Sequence, residues 1–116
     1  MEENIPLESS NEDRRIFQRR NFSSLLKFRL GKDGKDCEGV TKDISAGGLS
    51  FITKQRIKLR DSMELWITVP DGKDPIYKTA QLAWARENLA DTYEAGAKFD
   101  SVGLLELSRV FKTLGR

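Results

Sequence analysis

Apolar and polar residues alternate with a period of two along most of the chain between residues 25 and 99. In the first such segment Leu26, Phe28 and Leu30 alternate with basic residues, which predicts a strand with one buried face. Five further segments share this period, near residues 38–45, 48–54, 63–69, 76–85 and 92–99. Turn signals separate them. Six short strands predict an all-β fold, and closure into an antiparallel barrel is favoured because it removes exposed sheet edges.

The same alternation predicts which side chains form the core. Leu49 and Phe51 share one face of the third segment, and Ala80, Leu82 and Trp84 share one face of the fifth. We therefore expect Trp84 in the core. Trp66 has the opposite parity to its apolar neighbours and is expected to be more exposed. Asp33-Gly34 predicts a hairpin turn with positive φ between the first two strands.

Beyond the sixth strand the apolar period becomes helical. Ser101 is a predicted N-cap, and Gly115 follows the last apolar residue as a terminator. The apolar residues of this stripe are Leu104, Leu107, Phe111 and Leu114. The pattern predicts a C-terminal α-helix over residues 101–114 that covers a barrel mouth or a sheet face.

Charge is segregated at the amino-terminal end, although the formal net charge of the 116 residues is only +2. Residues 1–13 contain acids and no base, whereas residues 14–32 contain bases and no acid. The acidic, Pro-containing segment 1–13 is predicted to be a disordered tail, because it has too little apolar surface to offset the entropy of ordering. Such a charge boundary is typical of a protein with an anionic partner.

Composition argues against several classes of function. The chain has no histidine and a single cysteine, Cys37. It therefore lacks the commonest general base, and no intrachain disulfide or multi-cysteine metal site can form. Its apolar runs are too short to span a bilayer, and its acidic start is unlike a signal peptide. We expect a cytoplasmic protein that is not an enzyme, with no catalytic residue and no metal.

An arginine cluster occupies the connector, residues 14–24, that precedes the first strand. It consists of Arg14, Arg15, Arg19 and Arg20. A guanidinium group is planar and forked, so it can hold a phosphate bidentately, bind guanine at O6 and N7, or stack on a purine. Taken alone, such a cluster is equally typical of a solvated or polyanion-binding arm.

A second motif, Asp43-Ile44-Ser45-Ala46-Gly47-Gly48, lies at the turn between two predicted strands. A carboxylate accepts the paired N1–H and N2–H donors of guanine, and a serine hydroxyl adds a polar contact. Glycines permit positive φ and close approach of a ligand to the backbone. Alone this motif is often a simple turn. Together, the two segments have the groups needed for a ligand that carries both phosphate and guanine.

The spacing Arg15-x-x-x-Arg19 followed by Asp43-x-Ser45-x-x-Gly48 resembles the PilZ domain family, the bacterial receptor module for cyclic di-GMP. The resemblance covers about residues 14–114, and both motifs are intact. Leu82-Ala83-Trp84 and the segment 93–99 are also similar to the family's strand patterns. The predicted organisation is thus the disordered tail (1–13), which follows from its composition, and a PilZ domain (14–116). The domain is made of the connector, a six-stranded barrel (25–100) and the helix (101–114).

The resemblance also implies a ligand and its site. The implied cyclic di-GMP-binding residues are Arg14, Arg15, Arg19, Asp43, Ser45 and Gly48, with Arg20 and Gly47 as further candidates. In this family an arginine at the position of Arg14 accompanies an intercalated ligand dimer, so two molecules per chain are expected and no other cofactor. The chain would act as a receptor or adaptor whose connector becomes ordered on binding, and signal to an effector protein that the sequence does not identify.

Two alternatives remain open at this stage. One is a PilZ-like interaction adaptor that does not bind nucleotide. The other is a small β-barrel that binds single-stranded nucleic acid, with Phe17 and Phe22 stacking on bases. We consider nucleic acid the weaker alternative, because these two side chains are better suited to anchoring the connector on the barrel and the later region is charge-balanced.

Overall fold

The computed structural model describes residues 19–31, 34–57, 62–88 and 91–114. Within these ranges the chain forms seven strands and one helix. They are β1 (Arg20–Asn21), β2 (Leu25–Leu30), β3 (Cys37–Ser45), β4 (Gly48–Thr53), β5 (Ser62–Ile67), β6 (Ile76–Glu87), β7 (Tyr93–Phe99) and α1 (Leu104–Leu114). The predicted disordered tail, residues 1–13, lies outside the described residues.

Six of the strands form a closed antiparallel barrel. Their order is β3-β2-β5-β6-β7-β4, and β4 pairs again with β3 to complete the ring. The predicted six-stranded barrel is confirmed. The two-residue strand β1 was not expected. It pairs with the end of β3, on the edge that β2 occupies further along that strand.

The barrel interior holds the inward side chains of the alternating segments. Phe28, Leu49, Phe51 and Leu65 are completely buried, as the alternation predicts. The rings of Phe28 and Phe51 pack at a tilt, with centroids 5.1 Å apart. Burial of each such side chain stabilises the fold by about 1.5–3 kcal/mol. Near the β2–β3 turn it is Gly31, rather than Gly34, that takes a positive φ, and residues 32–33 lie outside the described ranges.

The prediction that Trp84 lies in the core is wrong. Ala80 and Leu82 are buried, but Trp84 is 38% exposed. The β6–β7 register shifts between Leu82 and Trp84, so that Leu82 pairs with Ala97 whereas Trp84 pairs with Gly96. Such a bulge inserts one extra residue and reverses the parity of the strand beyond it. The indole therefore lies on the outer surface of the barrel.

Helix α1 closes one end of the barrel, where the last residues of β3, β5 and β7 meet. Leu107 and Val110 lie against Ile44, Ile67 and Phe99. The predicted apolar stripe therefore does cover a barrel mouth.

The predicted beginning of this helix, at Ser101, is wrong. The helix begins at Leu104, and Leu107 N–H donates to the carbonyl of Gly103 at 2.9 Å. Because that is the first helical hydrogen bond, Gly103 holds the N-cap position. Leu104, in the first turn, is 55% exposed, whereas Val110 is completely buried.

Candidate ligand-binding site

Four residues form a row across the outer face of the barrel, here called the outer row. They are Asp43 in β3, Ser50 in β4, Gly96 in β7 and Trp84 in β6, and each is the direct cross-strand partner of the next. Directly paired residues share one face of a sheet. Because the two sequence neighbours of Ser50 are fully buried in the core, this row points away from it.

Arg19 contacts one end of the outer row. Its Nη1 donates a hydrogen bond to Asp43 Oδ1 at 2.7 Å, and the two side chains are 50% and 25% exposed. The pairing of Arg20 with Ile44 and of Asn21 with Asp43 holds the preceding residue, Arg19, at this position. The two sequence motifs are therefore brought together by the short strand β1.

Phe22 anchors this segment on the barrel. Its side chain is 4% exposed, its N–H donates to Lys42 C=O at 2.9 Å, and its C=O accepts from Thr41 Oγ1 at 2.6 Å. The anchoring predicted for Phe22 is thus confirmed, and its ring is not available to stack on a nucleic-acid base. Phe17 lies outside the described residues.

The β3–β4 turn places Ser45, Gly47 and Gly48 beside the outer row. Ser45 Oγ accepts a hydrogen bond from Gly47 N–H at 3.2 Å, which stabilises the turn. Neither glycine has a positive φ. A Cβ on Gly48 would instead lie 2.1 Å from the carbonyl oxygen of Ala97. The absence of a side chain at Gly48 therefore serves the close approach of β7.

Other surface depressions on the barrel measure about 380 Å³ and about 410 Å³. A depression of about 310 Å³ contains three of the predicted residues, Arg19, Ser45 and Gly47. Trp84, Gly96 and Lys98 are among the other residues that line it. A Cβ on Gly96 would lie 2.1 Å from Trp84 Nε1. The indole thus lies flat over Gly96 and forms an aromatic wall of the depression.

A second set of charges lies close to Trp84. Glu94, only 6% exposed, accepts hydrogen bonds from Lys42 Nζ at 2.8 Å and Arg86 Nη2 at 2.9 Å. The hydrogen bond from Lys42, followed by that from Arg86, lowers the pKa of Glu94 below its ordinary value despite burial. The Arg86 guanidinium also lies over the Trp84 ring, 5.7 Å from its centroid. This ionised cluster therefore contacts the aromatic wall through Arg86.

The structure therefore brings together Arg19, Asp43, Ser45, Gly47 and Gly48. Arg20 is directed elsewhere, since its guanidinium lies over the Phe111 ring of α1 at 4.8 Å from the centroid. Arg14 and Arg15 lie outside the described residues.

Sequence reasoning missed three residues near the site: Trp84, Lys98 and Ser50. The alternation assigned Trp84 to the wrong face, and a single bulge leaves little trace in the sequence. Lys98 and Ser50 have ordinary outward parity in their strands, and only the pairing of β4 and β7 places them beside Asp43 and Trp84.

Within the part of the chain that the structure describes, no three His, Cys, Asp or Glu side chains are grouped so that they could hold a metal ion. Among the same described residues, no helix is long and apolar enough to cross a membrane.

The sequence matches the family model described as PilZ domain over residues 13–111. A search of curated proteins found no match.

Among solved structures, the chain is similar to the inhibitor of motility MotI (DgrA) of Bacillus subtilis, with a TM-score of 0.65 and 12% identity over 89% of this chain and 53% of that one. It is also similar to the PilZ domain with c-di-GMP of YcgR from Escherichia coli. The TM-score is 0.64, and the identity is 18% over 89% of this chain and 92% of that one. A third similar structure is the MrkH–c-di-GMP complex of K. pneumonia, with a TM-score of 0.61 and 19% identity over 87% of this chain and 51% of that one. The chain thus spans about half the length of MotI and MrkH. At these identities the likeness shows the fold.

Proposed function

This chain belongs to the PilZ domain family, and from that premise we propose that it is a receptor for cyclic di-GMP. One observation carries the proposal: β1 brings Arg19 into hydrogen-bond contact with Asp43, beside Ser45 and the aromatic wall of Trp84. YcgR and MrkH, which share the fold, have solved structures with c-di-GMP.

The depression, together with Asp43, which is hydrogen-bonded to its lining residue Arg19, has the chemistry that suits a guanine base. The Asp43 carboxylate can accept both N1–H and N2–H of guanine, and the Ser45 hydroxyl, whose oxygen accepts from Gly47, still has its own proton to donate. The Arg19 guanidinium can bind O6 and N7 or a phosphate of the same ligand. The Trp84 indole offers a flat surface for stacking, a contact worth about 1–3 kcal/mol.

Ligand binding must compete with the Arg19–Asp43 ion pair. Both side chains are partly exposed, and an exposed ion pair contributes about 1 kcal/mol or less to stability. Its loss would weaken binding by about fivefold at most. The ion pair is therefore only a weak competitor for the site. A ligand with two phosphates and two guanines can replace its hydrogen bond.

Connector ordering is the proposed consequence of binding. Arg14 and Arg15 precede Arg19 and Arg20 in one short segment, and four close cations repel one another until a dianionic ligand neutralises them. We further propose two intercalated ligand molecules per chain, with Arg14 contacting the second.

The output of the proposed receptor is a contact with an effector protein in the bacterial cytoplasm. β1 contacts helix α1 through Arg20 and Phe111. Ordering of the connector would therefore fix the surface that β1 and α1 present together.

Isothermal titration calorimetry of the full chain with cyclic di-GMP tests the proposal. We expect micromolar or tighter binding. Arg19→Ala and Asp43→Ala should each weaken it by about 10–100-fold, the loss expected for a hydrogen bond to a charged group. Arg29→Ala is the matched control, because Arg29 forms an ion pair with Asp36 on another part of the barrel; it should bind normally.

Absence of binding heat from the unaltered chain at high protein concentration would overturn the proposal and favour an adaptor that does not bind nucleotide. Salt-dependent binding of arbitrary oligonucleotides without a response to cyclic di-GMP would favour the nucleic-acid alternative.

A further inference from the structure

Ser50 has an unusual hydroxyl group. Its side chain is 4% exposed, and among the described residues its Oγ is the one buried side-chain nitrogen or oxygen without a hydrogen-bond partner. Buried hydroxyls are nearly always paired, because burial removes their hydrogen bonds to water. Thr41 follows this rule, since its Oγ1 donates to Phe22 C=O. The buried Ser45 also has a partner, Gly47 N–H.

The position of Ser50 in the outer row connects this hydroxyl to the candidate site. Asp43 is its direct partner on one side and Gly96 on the other. The indole of Trp84 covers Gly96, and Arg19 is bonded to Asp43. Within the outer row, Ser50 therefore lies between the ion pair and the aromatic wall, next to the carboxylate that a ligand would contact on displacing Arg19.

We propose that Ser50 is a further ligand-binding residue, whose hydroxyl donates a hydrogen bond to O6 of the guanine that Asp43 holds. The inference rests on the proposed function. The Watson–Crick edge of guanine carries the acceptor O6 beside the donors N1–H and N2–H. The Asp43 carboxylate can only accept, so O6 needs a neighbouring donor, and a hydroxyl supplies one. Adenine presents the opposite pattern at these positions and fits this pair of side chains poorly.

The test compares Ser50→Ala with the unaltered chain by calorimetry and thermal unfolding. Because alanine removes an unpaired buried hydroxyl, the free variant should be at least as stable as the unaltered chain. Its affinity for cyclic di-GMP should fall about tenfold, the loss of one hydrogen bond. Ser50→Ala should weaken the binding of cyclic di-IMP by the same factor relative to the unaltered chain, because the base of this ligand keeps O6 and N1–H and lacks only the 2-amino group. Ser62→Ala, at an exposed serine of β5, is the control and should change neither quantity.

Ser50→Cys guards against a packing artefact, because its thiol fills the space that alanine leaves empty but is a weak donor. It should lose affinity as alanine does. If the unaltered chain binds cyclic di-GMP and both Ser50 variants bind it as tightly as the unaltered chain does, this inference is overturned and the proposed function stands. If the unaltered chain does not bind cyclic di-GMP, both are overturned.

Discussion

Replacement of Gly48 by alanine would place a methyl group where the backbone of β7 already lies. The new Cβ would be 2.1 Å from the carbonyl oxygen of Ala97 and 3.2 Å from Lys98 Cα. Unstrained C···O contacts are about 3.3 Å or longer, so β7 would have to move by about 1 Å. Backbone atoms held in a closed barrel cannot make that shift alone.

The cost can be estimated from the contacts that the shift would break. The hydrogen bond from Phe99 N–H to Gly47 C=O, 2.8 Å long, would lengthen beyond hydrogen-bonding range. One lost hydrogen bond costs about 1 kcal/mol, and overpacking costs about 1–3 kcal/mol. We expect Gly48→Ala to lower the free energy of unfolding by about 2–4 kcal/mol, which lowers the Tm by roughly 10–30 °C for a domain of this size.

Gly96→Ala is the matched substitution, since its Cβ would also meet an atom at 2.1 Å. Here the neighbour is the Trp84 indole, which is 38% exposed and can rotate into solvent. We expect Gly96→Ala to lower the free energy of unfolding by about 1 kcal/mol. It should also weaken the binding of cyclic di-GMP, because the aromatic wall has moved.

Thermal unfolding followed by far-ultraviolet circular dichroism compares the two variants directly. A Tm for Gly96→Ala equal to or below that of Gly48→Ala would refute the argument that backbone crowding sets the cost. So would a Gly48→Ala variant that keeps its Tm and loses only ligand binding, because Gly48 would then serve the ligand alone.

Three further results are expected. Cyclic di-GMP should change the intrinsic fluorescence, and this change should be lost in Trp84→Phe but kept in Trp66→Phe; the reverse would place the ligand elsewhere. Hydrogen bonds from Arg109 hold the pKa of Asp71 well below its ordinary value. Because the folded-state pKa is depressed, the stabilisation is complete above the unfolded value of about 4 and is lost as the pH falls below it. Urea unfolding between about pH 5 and pH 2 should therefore be less pH-dependent for Asp71→Asn, and parallel curves would contradict this. Arg14→Leu should reduce the calorimetric stoichiometry from two ligands to one, and an unchanged ratio would refute the ligand-dimer proposal.

The elements that could be predicted are those set by local pattern. Alternation of apolar residues located the six barrel strands to within a few residues, because each inward side chain must be buried whatever its strand pairs with. The helical stripe likewise located α1, although its beginning at Leu104 depended on Gly103 accepting the first hydrogen bond. The predicted residues Arg19, Asp43 and Ser45 do meet in one site.

By itself, the sequence determined the strands, the helix and the two motifs, since these depend on residue type and on spacing over a few positions. Tertiary structure decided what surrounds the motifs. The β6 bulge turned Trp84 outward, and closure of the barrel placed Ser50 between Asp43 and Gly96. The physical reason is that strand register and barrel closure depend on contacts between distant segments. No local pattern of side chains specifies those contacts.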